Sequence, residues 1–254
     1  MRNFACKIAF LGTEFHGFQR QKNAETVESV ICKALYKILN EETEIFGCSR
    51  TDSKVSAREY VFNFKTENPI TPNRLKSALN HFLPDSIGVY EVRIVPDDFH
   101  ARYSCKEKEY EYIIRNSKEK NPFFEGRKTK YGISHLDEKE LNRVAQFFCG
   151  EHDFSAFCSM HDGAKSHTRC IKKAEVKRNG EDVIFSFKAD GFLYNMVRIM
   201  VGTLIFVNEG KIRGDDIPKI IESKNRKLAG KTAEPTGLYL KKVIYEDDPF
   251  EKEE

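Results

Sequence analysis

The chain has 254 residues, 40% hydrophobic and 32% charged, with a formal net charge of +3. That composition describes a soluble globular protein with room for one large domain or two ordinary ones. It holds no run near the roughly 18 apolar residues of a membrane span, and Lys7 interrupts any signal-peptide core, so a cytoplasmic protein is expected.

Seven cysteines with no Cys-x-x-Cys pair do not suit a disulfide scaffold in a chain this long. Cys149, His152, Cys158, His161, His167 and Cys170 fall in one segment and are zinc-type ligands. Cys149 fits the end of an amphipathic helix, however, and Cys158 follows an aromatic run. They read as reduced core Cys and loop His, and no metal is expected. From Glu246 onward the chain has six acidic residues and one Lys. The body is therefore more basic than the net charge suggests, which suits a polyanion partner. The tail 247–254 reads as disordered.

In chain order, Phe4, Cys6, Ile8 and Phe10 alternate with Ala5, Lys7 and Ala9, the period of a strand. Leu11–Gln21 is a loop rich in aromatics and polar donors. Thr26 can cap a helix in which Val27, Val30, Ile31, Ala34, Leu35, Ile38 and Leu39 form one stripe. A short strand fits near Ile45. Phe46–Ala57 is a polar, turn-forming loop, and Tyr60–Phe64 a strand. Thr71 and Pro72 open a helix through Leu83, and Val89–Val95 is a strand. Tyr110–Arg115 is the next strand, and Asp137–Cys149 a helix with Leu141, Val144, Ala145 and Phe148 on one face. Ile171–Lys177 and Val183–Ala189 pair around Asn179-Gly180, a strong hairpin signal. Phe192–Val207 reads as a long helix and Leu238–Tyr245 as a last strand.

Each half thus approximates a split β-α-β arrangement. The expected class is α+β, two ferredoxin-like (RRM-like) halves with antiparallel or mixed sheets. The expected domains are 1–104 and 105–246, joined through Phe99–Cys105, with 247–254 as a tail.

Several residues could carry chemistry. Arg50, Thr51 and Asp52 put a cation, a hydroxyl and a carboxylate within three residues of one loop. Taken alone the triplet is weak evidence, since an Asp in such a loop is usually a turn or cap residue. The helix after Gly191 is apolar nearly all round, yet Arg198 sits in its middle. Either Arg198 snorkels to the surface, or it is buried against an anionic partner, for which Asp52 is suitable. Tyr110 and Tyr112 share one strand face; they form a plain amphipathic strand, or one ring stacks on a ligand. Phe99-His-Ala-Arg-Tyr103 interleaves aromatics with cations, a composition suited to splayed nucleic acid. Ser166-His-Thr-Arg169 adds a second such loop.

With these residues assembled, the chain resembles the pseudouridine synthases of the tRNA pseudouridine synthase A type. The resemblance runs from Phe10-Leu-Gly-Thr-Glu-Phe-His-Gly-Phe-Gln to Pro235-Thr-Gly-Leu-Tyr-Leu. Between them lie Arg50-Thr-Asp52, Phe99-His-Ala-Arg102, Tyr110-Glu-Tyr112, His152-Asp-Phe-Ser-Ala-Phe157, Gly191-Phe-Leu and Met196-Val-Arg198. The resemblance implies the pseudouridine synthase fold, a homodimer, a basic cleft for tRNA, and isomerisation of anticodon stem-loop uridines at tRNA positions 38–40 without cofactor or metal. It implies Asp52 as nucleophile, Arg198 as its ion-pair partner and Tyr110 stacked on the target base. Arg50 matches the residue that fills the gap left by that base. Phe99, His100, Arg102 and Arg169 match positions that grip RNA.

The chain departs from the family pattern beside Asp52. Ser49 replaces the usual Gly before Arg50. Ser53-Lys-Val-Ser-Ala57 replaces Ala-Gly-Val-His-Ala. The catalytic triplet is intact, but the loop conformation and RNA specificity could differ, as in a paralogue with another target. A non-catalytic RNA-binding protein is the main rival reading. An acid in a loop and an Arg in an apolar helix speak against it. A zinc-dependent nucleic-acid enzyme is a second rival, and the His-x-Glu with Pro-Cys-x-x-Cys pattern of the zinc deaminases is missing.

Overall fold

The computed structural model describes residues 1–159 and 163–251. Its strands are β1 (Arg2–Phe10), β2 (Ile45–Gly47), β3 (Ser56–Thr66), β4 (Ile87–Val95), β5 (Cys105–Arg115), β6 (Thr129–Lys130), β7 (Gly150–Asp153), β8 (Thr168–Asn179), β9 (Asp182–Ala189) and β10 (Leu238–Tyr245). Its α-helices are α1 (Val27–Leu39), α2 (Pro72–Phe82), α3 (Glu138–Ala145), α4 (Met196–Asn208) and α5 (Ile217–Ser223). Two compact units result: Met1–Lys106 with the chain from Tyr239, and Glu107–Leu238. No helix among the described residues is long and apolar enough to cross a membrane.

In the first unit the strand order is β4-β1-β3, and β2 lies antiparallel on the far side of β3. β1 pairs antiparallel with both β3 and β4. With α1 and α2 as the crossovers, this is the ferredoxin-like β-α-β-β-α-β order. β10 adds to β3 in parallel, Tyr239 opposite Ser56 and Leu240 opposite Ala57. β1 is central, so its apolar residues are buried on both faces, including Phe4, Ala5, Cys6, Ile8 and Phe10.

Helix α1 starts where the sequence places it. Thr26 Oγ1 accepts from the Ser29 N–H and Ser29 Oγ accepts from the Thr26 N–H, a reciprocal capping box. Asn40 ends it in the left-handed region, φ +57°. Thr71 stands at the N-cap of α2 with no side-chain capping bond, so Pro72 at the first helical position is the operative start signal.

In the second unit β5-β9-β8-β7 is an antiparallel run, with β6 parallel on the end of β5. The elements β5, α3, β8, β9 and α4 repeat the chain order of the first five ferredoxin-like elements. The β8–β9 turn is Gly180–Glu181, one residue on from the expected Asn179-Gly180, closed by the Asn179–Asp182 pair and with Gly180 at φ +60°.

Four further expectations shift. The α3 helix ends at Ala145, and Gln146–Phe148 tightens into a 3-10 turn. Gln146 Nε2 leaves the helix to donate to the Ala174 carbonyl at 2.6 Å. The long helix starts at Met196 rather than Phe192, because Asn195 takes a left-handed conformation, φ +62°. In the tail, Phe250 is buried and lies under the Lys7 ammonium, 4.6 Å from the ring centroid. Phe250's N–H donates to Asp248 Oδ1 at 2.9 Å. Finally, β6, β7 and α5 are elements that periodicity did not reveal; they are too short to carry a period.

Candidate active site

The candidate catalytic residues divide between the units. Asp52 belongs to the first, Tyr110 and Arg198 to the second.

Asp52 lies half-buried in the loop between β2 and β3. Its carbonyl accepts from the Val55 N–H at 3.1 Å, closing a turn with Lys54 at φ +66°. The Gly of the family pattern falls at this Lys, so a side chain occupies a backbone conformation that favours glycine. A second loop clamps the turn. The Phe18 N–H donates to the Thr51 carbonyl (3.3 Å) and the Lys54 N–H to the Phe15 carbonyl (3.2 Å). The Gly12 N–H donates to Ser56 Oγ at 2.9 Å in a buried site. The approach is close: a Cβ on Gly12 would stand 2.0 Å from the Val55 oxygen, and one on Gly17, at φ +85°, 2.5 Å from the Thr51 oxygen.

That second loop is itself tied to α1. The first two N–H groups of the helix, at Val27 and Glu28, donate to the Gly17 and Phe18 carbonyls, partners that the orphan donors of a helix start require. Behind the loop, Tyr60 donates to the Ser49 carbonyl and stacks on Phe18 at 4.4 Å. Asp52 is thus held from α1 through a glycine turn. Thr51 Oγ1 is buried beside it with no hydrogen-bond partner, an exception in a folded protein.

The first unit also holds Arg50, Phe99, His100 and Arg102. Arg50 and Arg102 are exposed. His100 Nδ1 accepts from the Arg102 N–H at 3.1 Å, and the ring lies 4.3 Å from Tyr103 and 5.0 Å from Phe46. Partial burial, and then the Arg102 cation, lower its pKa. Phe99 packs against Tyr245 at 5.3 Å.

In the second unit one turn serves both candidates. Phe192 sets its ring edge-on to Tyr110, 5.1 Å between centroids. Three residues later, Asn195 Oδ1 accepts from Arg198 Nη1 at 2.6 Å, while its Nδ2 donates to Ser159 Oγ at 2.8 Å. Arg198 Nε donates to the Ala233 carbonyl at 2.8 Å, and the Ala233 N–H returns a bond to the Arg198 carbonyl at 3.1 Å. Gly202 allows the strap around Ala233 to lie on α4, since a Cβ there would meet the Lys231 oxygen at 1.7 Å. Thr203 Oγ1 accepts from the Gly230 N–H at 2.8 Å. Arg198 therefore does not snorkel freely; its guanidinium is oriented by a carboxamide and a main-chain carbonyl.

Tyr110 is buried on β5 opposite Phe187. Tyr112 serves the fold instead. Its hydroxyl bonds Thr129 Oγ1 and the Glu234 carbonyl, both at 2.7 Å, and burial pushes its pKa up. Arg169 opens β8, and its Nη1 donates to the Ser166 and Thr168 carbonyls. The His167 ring meets Ser155 Oγ at 2.8 Å, and Ser155 Oγ meets Asp153 Oδ1 at 2.6 Å. Lys224 first, and then the Ser155 hydroxyl, hold the Asp153 carboxyl down at about 2. Of the possible zinc ligands, His152 bonds the Cys149 carbonyl at 2.9 Å and Cys158 is buried; His161 lies outside the described residues.

The features that sequence reasoning missed are those defined by long-range approach: the strap at 229–234, which has no local signal, and the buried Asn3 and Asn63. The isolated polar residues within apolar strands were the available clue.

The sequence profile described as tRNA pseudouridine synthase matches residues 6–104 and 144–246. A protein named tRNA pseudouridine synthase A from Acetivibrio thermocellus is 47% identical over 246 residues, covering 96% of this chain and 100% of the relative. One of the same name from Exiguobacterium sibiricum is 40% identical over 245 residues, covering 96% and 97%. The chain belongs to the tRNA pseudouridine synthase family, isomerases that convert uridine to pseudouridine in tRNA.

Proposed function

We propose that this enzyme isomerises uridines of the tRNA anticodon stem-loop, at positions 38–40, with Asp52 as the nucleophile. The reaction breaks the C1′–N1 bond, turns the base and forms a C1′–C5 bond. The C5 proton leaves and N1 gains one, so no electrons are exchanged and the product is an isomer. A carboxylate suits this work because it can attack and leave without a redox partner. Arg198 would keep Asp52 ionised, and Tyr110 would stack on the turned base. Leaving the helical stack costs a few kcal/mol, and Arg50 would fill the vacated space. Phe99, His100, Arg102 and Arg169 would grip the RNA backbone and loop. Residues 1–104 would supply the nucleophile and 105–246 the Tyr and Arg, in a cytoplasmic homodimer.

The observation that carries this reading is the clamp on Asp52. Main-chain bonds from two glycine-bearing turns fix the loop on the end of α1, the kind of pre-set geometry that a nucleophile needs and a solvated turn acid does not. The test is to incubate the enzyme with unmodified tRNA transcripts and map pseudouridine by reverse-transcription stops. Product confined to positions 38–40 is expected. Product elsewhere would reassign the target, and a tRNA-binding protein without product would favour the RNA-binding alternative.

A further inference from the structure

Asn3 and Asn63 are buried in the first unit, at 0% and 2% exposure. Carboxamides are rarely placed there, and Asn is a poor strand residue. Their bonds run to one place. Asn63 Oδ1 accepts from the Ala101 N–H at 2.8 Å. Asn63 Nδ2 donates to Asn3 Oδ1 (3.1 Å) and to the Phe99 carbonyl (3.3 Å). Asn3 Nδ2 donates to the Pro96 and Phe99 carbonyls, both at 2.9 Å. From β10, the Tyr245 hydroxyl donates to the Ala101 carbonyl at 2.8 Å.

Side chains from three strands thus bond the main chain of a single loop at Pro96, Phe99 and Ala101. Ala101 itself is fully buried, whereas Tyr103 is 77% exposed. The His100 N–H donates to the Ser104 hydroxyl and the Ser104 N–H to the His100 carbonyl, which closes the loop. The loop is pinned at its root and shows His100, Arg102 and Tyr103 beyond it. A purely apolar core would fill the same volume without the cost of burying two amides. What the amides add is a fixed register for the loop, and a local rule broken in this way is expected near function.

We propose that Asn63, supported by Asn3 and Tyr245, is a positioning residue for tRNA binding that holds the Phe99–Ser104 loop where its cation and rings meet RNA. This rests on the reading that the loop grips tRNA. Asn63 touches no substrate; it acts through Arg102 and its neighbours.

The test is steady-state kinetics of Asn63→Ala, Arg102→Ala and the double variant on an unmodified tRNA transcript. Loss of the tether should raise KM about 10-fold, with kcat within about twofold of wild type, as expected for loss of one or two hydrogen bonds that shape binding only. The double variant should match Arg102→Ala within about twofold, because coupled residues are not additive. A merely structural role would lower the active fraction instead, so kcat would fall at unchanged KM; that result, or additive KM effects, overturns the proposal. If Asn63→Ala does not fold, Tyr245→Phe removes only the bond to Ala101. It should raise KM about threefold, and an unchanged KM would overturn the proposal. An Arg102→Ala enzyme with wild-type KM would instead remove the loop's RNA role, and the proposal with it.

Discussion

Replacing Arg198 by Met removes the guanidinium while keeping an unbranched side chain of similar reach. The bonds lost include Nη1 to Asn195 Oδ1 at 2.6 Å and Nε to the buried Ala233 carbonyl at 2.8 Å. Hydrogen bonds from a charged donor contribute about 1.5–3 kcal/mol each, and an unpartnered buried carbonyl costs about 1–3. Asn195 keeps its bond to Ser159 and the Ala233 N–H keeps its own, so the lower end applies. The expected loss is about 3 kcal/mol, a fall in Tm of roughly 6–12 °C for a chain of this size. Differential scanning calorimetry at neutral pH would measure it. Single-turnover isomerisation, run well below the variant's Tm, would separate folding from chemistry. There the variant should be slower by at least about 100-fold, the scale of losing one oriented electrostatic group. Arg198→Lys should recover part of the stability, since an ammonium cannot reach both acceptors in the plane of the guanidinium. A Met variant that melts with the wild type and turns over at its rate would refute the reasoning for both roles.

Three further outcomes follow from the same contacts. Gly12→Ala puts a Cβ 2.0 Å from the Val55 oxygen, so the Asp52 loop must move; a stability loss of about 2–3 kcal/mol by urea titration and near-complete loss of turnover are expected, and a fully active variant would show that the clamp is dispensable. Lys54→Gly relieves a side chain at φ +66°; it should stabilise by up to about 1 kcal/mol, the left-handed penalty less the entropy glycine adds to the unfolded chain, and a lower Tm would contradict this. Asp153, held at about 2 against an ordinary 3.8, contributes stability that is complete above pH 3.8 and lost as pH falls toward 2. Acid titration of Lys224→Met should show a shallower loss in that window, and an unchanged curve would remove Lys224 as the cause.

The parts of the fold legible in the sequence are those set by neighbours along the chain. The alternation of β1, the Thr26 cap, Pro72 and Asn179-Gly180 act over a few residues, and each element starts or turns within a residue of where they stand. Arg198 was conspicuous because a cation in an apolar helix needs a reason. The start of α4 was misread because Asn195 gives up helical geometry for a bond to Arg198 and another to Ser159, and no local pattern encodes that trade. The strap on Gly202 and the tether from Asn63 join residues about 30–40 positions apart. Their glycine and asparagine look like ordinary helix and strand blemishes until the chain closes on itself. The buried Phe250, with its ring beneath Lys7 of β1, similarly overrode an acidic composition.

The role of Asp52 itself is tested most directly by Asp52→Asn, which keeps the shape of the side chain and leaves the main-chain bonds of the loop in place. Filter binding with unmodified tRNA and reverse-transcription mapping of the same samples would read binding and product together. Retained affinity with no pseudouridine above background is the predicted result; pseudouridine formed at the wild-type rate would contradict a nucleophilic Asp52.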